Sequence, residues 1–164
     1  CRTRASLTHY PPAHCLFYQY FKDIPMQLEF NKPQGIKLPS KLFKIFSTAV
    51  RAQKIDVEAS QALTFNFRDP DYSAEYGGYH PVEIRIERSQ SRWQLIYMTD
   101  FSYQGHPFAE LAKEIDICFK RLRLTTLFGG EHCAIANYQF INTFICNFIE
   151  YHAMDAFEVS IEIG

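Results

Sequence analysis

Apolar and polar residues alternate most clearly between Leu63 and Tyr103, and that stretch frames the rest of the chain. Leu63, Phe65 and Phe67 interleave with Thr64, Asn66 and Arg68, the two-residue period of a strand with one buried face. Val82, Ile84 and Ile86 interleave with Glu83, Arg85 and Glu87 in the same way. After the turn Ser89-Gln90-Ser91, Trp93, Leu95, Tyr97, Thr99 and Phe101 alternate with Gln94, Ile96, Met98 and Asp100. The last two runs read as a hairpin. The third run carries apolar groups on both sides, which predicts a central place in a sheet.

Outside that stretch the period changes. Leu42, Phe43, Phe46, Ala49 and Val50 recur at helical spacing behind Pro39 and Ser40, predicting a helix over 40–53 with Ser40 as its N-cap. Gly105-His106-Pro107 introduces Phe108, Leu111, Ala112, Ile115, Cys118, Phe119 and Leu122, the apolar stripe of a second helix. Residues 124–132, with Gly129-Gly130, read as a loop. From Ala134 to Ala153 a third helix is expected, with Tyr138, Ile141, Ile145, Phe148 and Ile149 along one stripe. Phe140, Phe144 and Tyr151 flank that stripe, so the helix is apolar nearly all round. Phe157, Val159, Ile161 and Ile163 close the chain as a strand.

The expected fold is therefore α+β, a two-layer sandwich. It has a mostly antiparallel sheet of about four strands, with helices packed on one face. Residues 1–25 are rich in His, Tyr and Pro without a clear period, and read as an arm outside a single domain at 26–164. Gln27 to Phe30 reads as a short edge strand.

Composition narrows the function classes. The chain has 164 residues, 47% hydrophobic and 21% charged, an ordinary globular balance. The net charge is -1, so no basic excess is there to hold phosphates, which counts against nucleic acid as a partner. The longest apolar stretch, Ala134 to Met154, is interrupted by Asn137, Gln139, Asn142, Asn147, Glu150 and His152, too polar for a membrane span. The five cysteines include no CxxC pair, which argues against a zinc ribbon. Cys118, Cys133 and Cys146 lie in or beside apolar patterns, and buried free thiols of a cytoplasmic protein are expected. The 15 Phe and 10 Tyr exceed what one core needs, which points to an aromatic interface for self-association or a protein partner.

Three runs carry a resemblance: FRDPDYSAEYGGYHPVEIRIE, WQLIYMTDFSY and PFAELAKEIDICF. They resemble an uncharacterised bacterial family, domain of unknown function number 2787, from about Phe30 to the C-terminus. The resemblance implies a small cytoplasmic protein and supplies no catalytic residues or cofactor.

The most function-like segment is Asp69 to Tyr79, DPDYSAEYGGY, a turn-rich loop between two strands. Tyr72, Tyr76, Tyr79 and His80 are its candidate binding residues, because tyrosines concentrate at interfaces. This favours a non-enzymatic binding or assembly module. The alternative is a divergent metal-dependent hydrolase or nuclease with an acidic site around Asp69, Asp71 and Glu83. Pro70-Asp71 and Glu83-Ile84-Arg85 echo the PD…(D/E)xK pattern, but Arg85 replaces the lysine and cannot readily exchange a proton. Asp69, Asp71, Glu75 and His80, with Glu131, His132 or Cys133 as further ligands, have the residue types of a transition-metal site, without HExxH or EF-hand spacing. Ordinary turn chemistry, with aspartates capping backbone N–H groups and a histidine at a strand entry, is the favoured account of these residues.

Overall fold

The computed structural model describes residues 28–31 and 35–164, which form a seven-stranded antiparallel sheet and two helices. Helix α1 (Ser40–Ala52) leads into β1 (Ala62–Arg68), β2 (Val82–Ser89) and β3 (Arg92–Gln104). Then come β4 (Glu110–Cys118), β5 (Arg123–Thr126), β6 (Gly130–Cys133), α2 (Tyr138–Ala153) and β7 (Glu158–Ile163). The sheet order is β6-β5-β4-β3-β2-β1-β7. The first six strands are a meander, and α2 carries the chain across to the far edge, where β7 pairs with β1.

Alternation decides which face is covered. Leu63, Phe65 and Phe67 of β1 point to the same side as Val82, Ile84 and Ile86 of β2. They share one core with Leu42, Phe46 and Val50 of α1 and with Ile141, Ile145 and Phe148 of α2. Burying each such side chain contributes roughly 1.5–3 kcal/mol, far more than the few tenths separating helix propensities. The opposite face keeps its polar residues: Arg85 donates to Glu87 and Thr64, and Asn66 donates to Glu162.

Several expectations are corrected. The sheet has seven strands rather than about four. The expected helix at 105–122 contains the strand β4, and the expected loop at 124–132 contains most of β5 and most of β6. The cause is non-local. β3 runs for thirteen residues and would leave a bare edge of unpaired N–H and C=O groups without β4. Eight residue pairs between β3 and β4 cover it. Ile115 and Ile117 also alternate correctly for a strand, lying opposite Asp100 and Met98, so the helical period was coincidental.

The face assignment of β3 also changes partway. Arg85 pairs with Tyr97 and Ile86 with Leu95, so Ile96 is an extra residue, a β-bulge. Trp93 and Leu95 face the core as expected, but beyond the bulge Met98, Asp100 and Ser102 take over that face. Its central position in the sheet is as predicted.

Smaller corrections concern the ends. Pro39, not Ser40, is the N-cap of α1, and no side chain caps it. Cys118 is half-buried while Cys133 and Cys146 are exposed, and all three thiols are free. Phe30 makes a single parallel bridge to Trp93, so only a trace of the short edge strand is present at the described residues 28–31. The arm expected at 1–25 lies outside the described residues. Among those described, no helix is long and apolar enough to cross a membrane.

Candidate functional site

Four positions lie in one row across the sheet: Val82 opposite Asp100, Asp100 opposite Ile115, and Ile115 opposite Thr126. The loops 69–81, 105–109 and 127–129 all leave the sheet beyond that row, and 154–157 enters β7 from the same end. The candidate site occupies this end.

The 69–81 loop is held by its first aspartate. Asp69 accepts the N–H of Asp71 at 2.9 Å on one oxygen and the N–H of Tyr79 at 2.8 Å on the other. Gly78 sits at φ +127, and a Cβ there would come within 2.7 Å of the Asp69 carboxylate. Only glycine therefore lets the loop close on that side chain.

The candidate tyrosines separate into different roles. Tyr72 stacks on Tyr103 at 5.3 Å, lies 5.3 Å from His80, and its hydroxyl accepts the Tyr103 N–H. Burial pushes the Tyr72 phenol pKa up, with the Glu114 and Asp100 charges adding to the effect. Tyr79 packs on Tyr151 at 4.7 Å and on Phe157, anchoring the loop to α2. Tyr76 is free, with 83% of its surface exposed.

The acidic candidates also separate. Both Asp69 oxygens serve backbone amides, Asp71 is exposed, and Glu83 accepts the Tyr97 hydroxyl at 2.7 Å. Glu131, His132 and Cys133 lie in β6, exposed at the far edge of the sheet.

His80 has partners that the sequence reading did not name. Its Nδ1 lies 3.2 Å from Asp100 Oδ2 and 3.3 Å from Glu114 Oε2. These ligand-type atoms all lie within 4.8 Å of one another. A second bulge explains the approach. Asp100 pairs with Ile115 and Phe101 with Lys113, leaving Glu114 unpaired on β4. An extra residue of this kind re-aims its side chain. The Ile115 amide next to the bulge donates to Asp100 Oδ1 at 2.8 Å, which leaves Oδ2 for His80. Asp100 is buried, and desolvation raises its carboxyl pKa, opposed by hydrogen bonds from His80 and Ile115. A cleft of about 350 Å³ opens beside His80 and Asp100, walled by Tyr79, Phe144, Phe148 and Tyr151. Of the triad, His80 was legible in the sequence as a loop-end candidate and Asp100 only as an aspartate within a strand, while Glu114 gave no signal.

Comparison with known proteins gives a family and a fold. The family described as Protein of unknown function (DUF2787) matches residues 40–162. The hypothetical protein VC0508 of the Vibrio cholerae VSP-II pathogenicity island superposes with a TM-score of 0.76 at 30% identity, covering 84% of this chain and 99% of its own. The conserved hypothetical protein VC1805 of the Vibrio cholerae pathogenicity island VPI-2 superposes with a TM-score of 0.69 at 29% identity. That match covers 80% of this chain and 98% of the other, which is described as sharing structural homology with the human P32 protein. A search of curated proteins found no match.

Proposed function

The chain belongs to the DUF2787 family of proteins of unknown function, and from that premise we propose that it is a non-enzymatic binding module for a protein partner. The recognition surface is the loop end of the sheet. One observation carries this reading. Tyr76, Phe108 and Phe128 are 83%, 87% and 88% exposed, and they sit on three successive loops at that one end. Isolated exposed rings are common, but rings gathered at one end of a rigid sheet fit an interface.

The charge of the same end defines the partner. Loops 69–81, 105–109, 127–129 and 154–157 carry Asp69, Asp71, Glu75 and Asp155 and no lysine or arginine. A protein surface with apolar pockets and a basic rim is complementary to it. Phosphate-rich partners are disfavoured there. The free thiols of Cys118, Cys133 and Cys146 fit a reducing cytoplasm.

The test compares the wild-type chain with a Tyr76→Ser/Phe108→Ser/Phe128→Ser variant. Sedimentation velocity over a range of concentrations reads self-association, and quantitative affinity capture at low and high salt reads a heterologous partner. An association present in the wild type, weakened by salt and lost in the variant is expected. Identical behaviour of the two chains in both assays would refute the reading.

A further inference from the structure

We propose that His80, Asp100 and Glu114 form a binding site for one divalent first-row transition metal ion, of the Zn²⁺ or Mn²⁺ class, at the root of the 69–81 loop. The site is independent of the partner-binding reading.

The geometry is the first argument. Two ligand atoms each about 2.1 Å from a metal stand ~3.0 Å apart in octahedral and ~3.4 Å apart in tetrahedral coordination. His80 Nδ1 stands 3.2 Å from Asp100 Oδ2 and 3.3 Å from Glu114 Oε2. A hydrogen-bonded imidazole gives similar distances, with one Nδ1–H shared between two carboxylates. A lone pair on Nδ1 would instead be repelled by both oxygens. A metal cation between the three groups satisfies the same geometry without that repulsion.

The setting is the second argument. Asp100 and Glu114 come from the neighbouring strands β3 and β4, and His80 from the end of the 69–81 loop two residues before β2. Asp100 is 5% exposed and oriented by the Ile115 amide, the outer hydrogen bond that metal carboxylates ordinarily need. Among the described residues, the ion pairs recorded for Asp100 and Glu114 are with His80. Among the described residues, no lysine or arginine pairs with either carboxylate. One imidazole with two carboxylates suits zinc, manganese or iron better than magnesium or calcium. Three protein ligands leave positions for water, and two of them, His80 and Asp100, line the aromatic cleft.

Titration of the reduced full-length chain with Co²⁺, read by visible absorption, tests the site, and thermal shift with Zn²⁺ and Mn²⁺ runs alongside. One equivalent of metal is expected to raise Tm, and the Co²⁺ spectrum should show d–d bands without thiolate charge transfer. Asp100→Asn keeps the oxygen that accepts the Ile115 amide, and Glu114→Gln alters a partly exposed group, so both variants are expected to fold, checked by circular dichroism. Each should weaken binding about tenfold or more. No Tm shift, a spectrum dominated by thiolate charge transfer, or binding unchanged in both variants would overturn the site.

Discussion

Replacing Phe67 by alanine probes the junction of β1, α2 and β7 that supports the cleft. Phe67 is completely buried. Its ring meets Phe148 edge-on at 4.9 Å, and lies 5.9 Å from His152 and 6.2 Å from Phe157. Removing the ring forfeits roughly 2–3 kcal/mol of transfer free energy. The cavity adds ~1–2 kcal/mol, because β1 is paired on both edges and cannot collapse inward. The expected loss is thus ~3–5 kcal/mol, a large share of the ~5–15 kcal/mol by which such domains are stable. Urea denaturation measures it. With an m value of ~1–3 kcal/mol per molar, the midpoint should fall by at least ~1 M. A double-mutant cycle with Phe148→Ala should give a coupling of ~0.5–1.5 kcal/mol from the edge-on pair. A loss below ~1 kcal/mol, or strict additivity of the two substitutions, would refute this packing.

Arg88 donates to the carbonyls of Val57 and Glu58 at 3.0 Å each, and its guanidinium lies 5.9 Å from the Trp93 ring. Arg88→Ala should cost ~1–2 kcal/mol in thermal unfolding, whereas Glu58→Ala should cost less than ~1 kcal/mol because that carboxylate is exposed. Burial lowers the His152 pKa, with Asp155 opposing. The folded state therefore favours the neutral ring, and the stability it contributes is present above the ordinary value of about 6.5 and is lost as pH falls through the lowered one. His152→Gln should flatten the decline in stability between pH ~7 and ~5, and equal slopes would refute the assignment. Backbone amides of Ala136 and Ile135 lower the exposed Cys133 thiol pKa. Disulfide-exchange reagents should therefore modify Cys133 before the half-buried Cys118, as peptide mapping would show.

Local pattern alone determined β1, β2, the first half of β3, both helices and β7, because each places its larger apolar groups on one face at its own period. Leu63, Phe65 and Phe67 can reach a core only as a strand, and Leu42, Phe46 and Val50 only as a helix. The stretch 110–133 was decided by tertiary structure. Ile115 and Cys118 satisfy a helical stripe, and only the open edge of β3 selects the ladder. The two bulges, at Ile96 and Glu114, were equally invisible, because a bulge is a mismatch between two strands and leaves no mark in either one. The site depends on them. His80 was legible as a loop-end candidate, but Asp100 looked like the polar interruption of a strand and Glu114 like a residue of a helix. They meet because one inserted residue turns Glu114 toward the row that Asp100 occupies, and pairing across β2, β3 and β4 brings together groups that lie up to 34 positions apart in the chain.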